Sequence, residues 1–130
     1  MKYLSDYMKY KQSVLFSETG TFFAFSNKQY KEKAKKDVKY VNIGNGMITE
    51  EANVEKLING LDLIYKEAIQ EDLKENGKEA IILRELENHE CFYVGNIEDA
   101  VRKLEDYPIT EDEIKNIYKK NYSRITERYY

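Results

Sequence analysis

A long amphipathic segment in the middle of the chain is the feature that most constrains its fold. From Val54 to Leu73, apolar residues recur at spacings of three and four and so share one face of a helix. Thr49 precedes this segment as an expected N-cap, and Asn76-Gly77 follows it with the residues of a helix C-cap. The pattern predicts one long helix whose apolar face must be buried against other elements.

Before this helix, the sequence predicts a helix, a strand and a second helix. Helical spacing runs from Lys2 to Leu15, Ser17-Glu18-Thr19-Gly20 has the composition of a turn, and the aromatic run Thr21 to Phe25 is typical of a buried strand. Ser26 and Gln29 have the spacing of a capping box and predict a short, exposed helix. The next segments, Lys39 to Ile43 and Met47 to Thr49, are expected to pair as a hairpin around Gly44-Asn45-Gly46, because Asn-Gly supplies the positive φ angles of a type I′ turn.

After the long helix, the sequence is again helical. One helix is expected from Lys78 through Leu86, and Asn96 to Asp99 opens a short one. Pro108 ends that helix, and Thr110-Glu111-Asp112-Glu113 is a capping box for the last helix. The residues of this last helix that are expected to point inward are Ile114, Ile117, Tyr118, Tyr122 and Ile125. The predicted fold class is α+β, mostly helical, with about five helices and a small two- or three-stranded antiparallel sheet. Without a repeat or a linker, residues 1 to 130 are expected to form a single domain.

Composition excludes several classes of protein. The 130 residues are 42% hydrophobic and 35% charged, which is typical of a globular domain. No apolar stretch approaches the ~18 residues of a membrane helix, and the N-terminus lacks the apolar core of a secretory signal. The sequence therefore predicts a soluble, cytoplasmic protein without membrane partners. Cys91 is the only cysteine, which excludes an internal disulfide and a four-thiolate zinc site within one chain.

Charge is segregated along the chain. Residues 1 to 45 hold nine lysines against four acidic residues, residues 46 to 113 hold seven basic against nineteen acidic, and residues 114 to 130 hold five against one. The acidic middle has two interpretations: a surface that imitates nucleic-acid phosphates, or the solvated backs of helices, which spacing alone favours. The acidic candidates for a binding surface are Glu55, Asp62, Glu71, Asp72 and Glu75.

The segment around the one histidine carries the strongest chemical suggestion. Glu85 and His89 are four residues apart and would share a helical face, with Glu90 beside them. Such a group suggests a divalent metal site and, as an alternative function, a metal-assisted enzyme. One histidine excludes the two-histidine zinc helix, so a structural role for His89 is favoured. No cofactor motif is present, and a non-enzymatic role is favoured.

Tyrosines accompany the basic ends. Tyr3, Tyr7 and Tyr10 lie at helical spacing near lysines, and the other group is Tyr118, Tyr122, Tyr129 and Tyr130. Rings that stack on bases beside cations that meet phosphates suggest a single-stranded nucleic-acid binder as a further alternative. Tyrosine equally closes the edge of a core, with its ring buried and its hydroxyl in water.

Three segments carry a resemblance to a known family. They are Phe22-Phe23-Ala24-Phe25-Ser26-Asn27-Lys28-Gln29-Tyr30, Arg84-Glu85-Leu86-Glu87-Asn88-His89-Glu90 and Gly95-Asn96-Ile97-Glu98-Asp99-Ala100. With the glycine turn between the first two, they resemble small uncharacterised proteins encoded mainly by phages and prophages of gut bacteria, over residues 14 to 118. The chain departs from that pattern at Cys91, where the family has tyrosine, and at Asn45, which interrupts the glycines.

The resemblance implies a biological context and assigns no activity. It implies a phage accessory protein that acts inside the host cell. Proteins of this kind usually bind a surface of a host protein, so the expected function is an inhibitor of a host defence system, comparable to an anti-CRISPR protein. The expected partner is a host or defence-system protein, and a homodimer is also compatible with the sequence.

Overall fold

The computed structural model describes the backbone of residues 1 to 126 and the side chains of residues 1 to 124. Its contacts divide the chain into two compact units, Met1–Ala68 and Ile69–Tyr130, and the long helix contributes to both. Within the described part there are seven α-helices and a three-stranded antiparallel sheet, which confirms the predicted α+β, mostly helical fold. That the chain is a single domain stays a prediction.

The first unit contains the sheet and the first helices. Its elements are a 3₁₀ turn at Leu4–Tyr7, α1 (Lys9–Thr19), β1 (Phe22–Phe23), α2 (Asn27–Lys33), β2 (Tyr40–Gly44), β3 (Met47–Glu50), a 3₁₀ turn at Glu51–Asn53 and the beginning of α3 (Val54–Asn76). The core of this unit is formed by Leu15, Leu57 and Ile64, which α1 and α3 contribute. The two helices approach closely, since a Cβ atom added to Gly60 would lie 2.7 Å from the Leu15 side chain.

The first helix ends later than its sequence suggested. The predicted turn at residues 17 to 20 is wrong, because α1 continues through Thr19 and Gly20 caps it with a left-handed φ of 65°. The Gly20 N–H donates to the Phe16 carbonyl, and the Thr19 hydroxyl donates to the Leu15 carbonyl at 2.8 Å. Glycine C-caps of this kind satisfy carbonyl groups that the end of a helix would otherwise leave unpaired.

Thr49 is not the N-cap of the long helix. It lies in β3, fully buried, and its hydroxyl donates to the Thr19 carbonyl at 3.2 Å. Thr21 joins the same group by donating to the Thr49 hydroxyl at 2.9 Å. These hydrogen bonds connect residues that are distant in sequence, so a local capping pattern could not reveal them. The helix starts at Val54, after the 3₁₀ turn.

The sheet confirms the hairpin and corrects the first strand. The strand order is β1-β3-β2, and Asn45 (φ 53°) and Gly46 (φ 79°) occupy the positive-φ positions of the turn between β2 and β3. The strand predicted for residues 21 to 25 shortens to Phe22–Phe23, and it is not buried as a whole, because Phe25 is 73% exposed. The result is a small sheet that leaves aromatic side chains at the surface.

The second unit is entirely helical in its described part. It contains the end of α3, α4 (Lys78–Asn88), α5 (Cys91–Val94), α6 (Glu98–Lys103) and α7 (Glu111–Thr126). Its most buried apolar residues are Ile81, Ile82, Leu86, Cys91, Phe92, Ala100, Leu104 and Ile114. None of the described helices is both long enough and apolar enough to cross a membrane.

Local signals predicted the starts of α4, α6 and α7 to within about two residues, whereas α5 was not predicted. Both hydrogen bonds of the predicted Thr110 capping box are present, because the Glu113 N–H donates to Thr110 Oγ1 and the Thr110 N–H donates to the Glu113 carboxylate. The expectation that Tyr122 points inward is wrong, since this side chain is 45% exposed. The Ile125 side chain, also expected inside, lies outside the described side chains.

Candidate binding groove and buried ion network

An open groove lies on the first unit, between α2 and the sheet. Its volume is about 560 Å³, within the size range of small-molecule sites. The lining residues come from the β1–α2 connection, α2 and the hairpin: Ala24, Phe25, Ser26, Asn27, Tyr30, Tyr40, Val41, Asn42, Gly46 and Ile48. Two parts of the family resemblance therefore lie at this groove: the segment from Phe22 to Tyr30 and the glycine turn of the hairpin.

Three aromatic rings hold α2 against the sheet. The Phe22 and Tyr40 ring centroids are 5.3 Å apart, Tyr30 and Tyr40 are 6.0 Å apart, and Phe22 and Tyr30 are 6.2 Å apart. Two of these pairs have edge-to-face geometry, the arrangement that aromatic quadrupoles favour. Tyr30 and Tyr40 of this cluster line the groove, and the ring contacts hold α2, which buries no residue of its own.

Phe25 is the most exposed aromatic residue of the groove. Its backbone N–H donates to the Gln29 side chain at 2.7 Å, and the Gln29 N–H donates to the Ser26 hydroxyl at 3.2 Å, so the predicted pair Ser26 and Gln29 does cap α2. The Phe25 ring lies against the hairpin turn, because a Cβ atom added to Gly46 would approach it to 2.4 Å. The hydrogen bonds of the α2 cap and the contact with Gly46 therefore position the Phe25 ring at the groove, where it stays exposed to water.

The segment that contains α2 and the connection to β2 is rich in lysines. Between positions 28 and 39 there are six lysines and only two acidic residues, Glu32 and Asp37. Lys33 donates to the Phe23 carbonyl at 2.6 Å. The other five are exposed and form no ion pair with any described residue: Lys28, Lys31, Lys35, Lys36 and Lys39. The segment from residue 28 to residue 39 therefore carries an excess of positive charge that ion pairs do not neutralise.

Elsewhere, basic residues pair with the acidic middle of the chain. Lys11 contacts Glu67 at 3.2 Å within the first unit, and Lys120 contacts Glu79 at 2.9 Å within the second. These contacts join the basic ends of the chain to its acidic middle. Folding therefore neutralises part of the acidic charge that the sequence shows.

The five predicted acidic binding residues do not share one environment. Asp72 is completely buried, so its assignment to an exposed binding surface is wrong. Glu55 and Asp62 are exposed in the first unit, where Asp62 forms an ion pair with Lys66 at 2.8 Å. Glu71 and Glu75 are exposed in the second unit.

Asp72 belongs to an ion network inside the second unit. The Arg84 guanidinium donates to both Asp72 oxygens, at 2.9 and 3.0 Å, in a bidentate pair. The same carboxylate accepts hydrogen bonds from the Tyr107 hydroxyl at 2.5 Å and from the Asn76 amide at 2.8 Å. Arg84 Nε also donates to Glu85 at 2.9 Å. These buried polar groups compensate one another, as burial of charge requires.

This network fixes the ionisation of its members. Burial alone would raise the pKa of the Asp72 carboxyl, but the hydrogen bonds from Arg84, Tyr107 and Asn76 hold that pKa below its ordinary value. Burial raises the pKa of the Tyr107 hydroxyl above its ordinary value, and the hydrogen bond to Asp72 raises it further. The charge of Asp72 and the proton of Tyr107 are therefore both retained over a wide pH range.

Sequence reasoning missed this network, although a signal was present. Asp72 lies four residues after Ala68 and three after Ile69, both of which are buried on the apolar face of α3. Arg84 lies within the buried residues of α4. A charged residue inside an apolar stripe indicates a buried partner of opposite charge. Both positions carry that signal.

The three residues of the predicted metal site are only partly brought together. His89 Nε2 lies 3.7 Å from Glu85 Oε2, and neither atom has a hydrogen-bond partner among the described residues. Glu85 is almost completely buried, whereas Glu90 is exposed in the left-handed turn between α4 and α5. Among the described side chains, no group of three or more His, Cys, Asp and Glu residues is arranged to hold a metal ion.

The remaining predicted residues take separate roles. Tyr10 is 80% exposed, whereas the Tyr118 ring stacks on Phe92 at 5.1 Å between centroids. Tyr129 and Tyr130 lie outside the described residues. Cys91 is fully buried, and burial raises the pKa of its thiol, which disfavours the reactive thiolate.

Comparison with known proteins places most of the chain in one family. Residues 4 to 124 match the model of DUF7659, which is described as a family of unknown function. No curated protein and no solved structure matches the chain.

Proposed function

The chain belongs to a family of unknown function, DUF7659, and we propose that it is a phage accessory protein that inhibits a host defence system by binding one of its components. The phage origin is supported by the resemblance of the Phe22 to Tyr30, Arg84 to Glu90 and Gly95 to Ala100 segments to proteins of phages and prophages. In this proposal the protein acts in the cytoplasm of the infected cell, and binding itself causes the inhibition.

The open groove is the observation that supports a binding role. The apolar ring of Phe25 is exposed to water. Tyr30 and Tyr40, which line the groove, are held in place by their ring contacts. Exposed aromatic rings in a preformed concave surface are typical of contact sites, because their burial by a partner releases free energy at little conformational cost. In the second unit, by contrast, the charges of Asp72 and Arg84 face each other in the interior.

The groove replaces the acidic face of α3 as the proposed contact surface. Asp72 is buried and Asp62 is paired with Lys66, so two of the five acidic candidates are already engaged within the protein. Next to lining residues of the groove, the exposed Lys31 and Lys35 have no acidic partner among the described residues. An unpaired charge of one sign next to an apolar ring supports recognition better than a surface of internal ion pairs.

A plaque assay tests the proposal. A host that carries a defence system is expected to be infected more efficiently when it expresses the protein, and Phe25→Ala should remove this effect. Tyr10→Ala is the matched control, because it removes an exposed aromatic ring of the same unit outside the groove. If no defence-carrying strain becomes more sensitive to phage, the inhibitor role is wrong. If the folded Phe25→Ala variant increases infection as much as the wild-type protein does, the groove is not the contact surface.

A further inference from the structure

We propose that the groove between α2 and the sheet binds single-stranded nucleic acid, with a base stacked on Phe25 and the flanking phosphates held by lysines of residues 28 to 39. This inference rests on the proposed function, since it names the chemical class of the component that the groove contacts. The groove is a different surface from the tyrosine-rich ends of the chain, which the sequence suggested as a site for single-stranded nucleic acid.

Charge complementarity is the first argument. Two of the unpaired lysines lie next to residues that line the groove. Lys31 lies four positions after Asn27, a lining residue, and therefore on the same side of α2. The backbone N–H of Lys35 donates to the Tyr40 hydroxyl at 2.9 Å, which places Lys35 beside another lining residue. Phosphates along a strand are a ligand that exposed ammonium groups in these places can pair with.

Stacking is the second argument. Bases of a single strand have exposed π-faces, and proteins bind them without sequence preference through aromatic rings next to a cationic track. Phe25 is 73% exposed and held against Gly46, so its ring is already in position before a ligand arrives. A duplex conceals the faces of its bases and cannot use this ring.

The polar lining supplies groups that can contact base edges. The Asn42 side-chain oxygen accepts a hydrogen bond from the Gly44 N–H at 2.8 Å, and no bond to its amide NH₂ occurs within the described part of the chain. Asn27 is exposed at the other side of the groove. Amide groups of this kind donate to and accept from the edges of bases.

An acidic extended peptide is the rival occupant. β2 is an edge strand of the sheet, and such edges can accept an additional strand through their free backbone groups. A peptide added to β2 would gain backbone hydrogen bonds without needing the Phe25 ring. The two occupants therefore differ in which variants weaken them.

Fluorescence anisotropy with a labelled oligothymidine of about 12 nucleotides tests the inference. The wild-type protein is expected to bind it saturably and more tightly than a duplex of the same length. Phe25→Ala should weaken binding by about 5- to 100-fold, and Tyr10→Ala should leave it unchanged. If Tyr10→Ala weakens binding and Phe25→Ala does not, the site lies on the N-terminal tyrosines and the groove assignment is wrong.

Salt dependence tests the role of the lysines separately. The double variant Lys31→Gln/Lys35→Gln should reduce the slope of log affinity against log salt by about 1.4, since each lost phosphate contact contributes roughly 0.7 for a single strand. Lys56→Gln/Lys66→Gln removes the same charge from ion pairs with Glu18 and Asp62 and should leave the slope unchanged. Equal slopes for both double variants would contradict a phosphate track beside the groove.

The outcomes separate this inference from the proposed function. A glutamate-rich peptide that binds more tightly than oligothymidine, or no saturable oligothymidine binding at low salt, overturns the nucleic-acid assignment. If oligothymidine binds as expected and no defence-carrying host becomes sensitive to phage, the ligand class stands and the inhibitor role fails.

Discussion

The buried network of the second unit and the groove of the first unit differ in how far their polar and aromatic groups are exposed. In the second unit, Asp72, Arg84 and Tyr107 are enclosed, and each hydrogen-bonds to another member of the network. In the first unit, the Phe25 ring is largely exposed to water. Lys31 and Lys35 are also exposed and form no ion pair with any described residue. The difference indicates that the network contributes to stability, whereas the groove leaves its interactions available for a ligand.

Breaking the buried network should produce the largest effect on stability. Arg84→Met removes the guanidinium while retaining most of the apolar volume, and it leaves the buried Asp72 carboxylate without its bidentate partner. The free energy of unfolding should fall by about 3 to 5 kcal/mol, measured by urea denaturation. Affinity for oligothymidine, expressed per folded molecule, should not change.

An exposed ion pair provides the control for this variant. Lys66→Met removes the partner of Asp62, whose side chain remains in water, so the free energy of unfolding should hardly change. If both variants lowered stability equally, the network would have no special role. The buried network would then stabilise the fold no more than an exposed ion pair does.

Removing one hydroxyl from the network should have the next largest effect. Tyr107→Phe deletes the hydrogen bond to Asp72 and keeps the buried ring, so the free energy of unfolding should fall by about 1.5 to 3 kcal/mol near neutral pH. An unchanged denaturation midpoint would mean that Asp72 is compensated by Arg84 and Asn76 alone. Tyr10→Phe is the control, because the Tyr10 side chain is largely exposed.

The same bond predicts how stability depends on pH. The pKa of Tyr107 is raised in the folded state, so its contribution is complete below the unfolded-state pKa of about 10 and is lost as pH rises above it. The pKa of Asp72 is lowered, so its contribution is present above about pH 4 and is lost as pH falls further. Stability should decline at both extremes.

Urea denaturation across pH can assign the alkaline decline. In Tyr107→Phe this decline should be shallower than in the wild-type protein. Part of it should persist, because burial also raises the pKa of Tyr118. A decline of unchanged steepness in Tyr107→Phe would show that Tyr107 does not cause it.

The interactions that the sequence predicted correctly are local ones. The helix caps at Ser26 and Thr110 and the hairpin turn at Asn45-Gly46 involve neighbours in the chain, and all three were predicted. The Arg84 bond to Asp72 and the Thr49 bond to Thr19 join residues that are distant in sequence, and neither was predicted.

The same limit applies to the candidate site. Phe22 to Tyr30 and the hairpin were identified as elements, but only their packing creates a groove. Charge counting along the chain identified a basic N-terminal region and could not say which lysines remain unpaired. That distinction depends on which acidic residues the fold brings near them.

Loss of the α2 cap should affect stability less than loss of the network. Ser26→Ala removes the hydroxyl that accepts from the Gln29 N–H, and the free energy of unfolding should fall by about 1 kcal/mol. Because α2 carries Tyr30 and Lys31 beside the groove, oligothymidine affinity should also fall. A variant that loses stability and keeps full affinity would show that the groove does not depend on an ordered α2.

Two glycines of the hairpin allow the position of the Phe25 ring to be tested almost in isolation. Gly44→Ala and Gly46→Ala both place a side chain at a positive φ, of 114° and 79°, so both variants carry backbone strain of about 1 to 3 kcal/mol. Only the Cβ atom at position 46 would collide with Phe25, whereas position 44 has no heavy atom within 4 Å.

The affinity difference between these variants is the finest test of the comparison. If the ring must lie against the turn to receive a base, Gly46→Ala should bind oligothymidine a few-fold more weakly than Gly44→Ala at equal folded concentration. Equal affinities would mean that Phe25 adjusts freely. The groove would then be an adaptable surface, and its order before binding would contribute nothing to recognition.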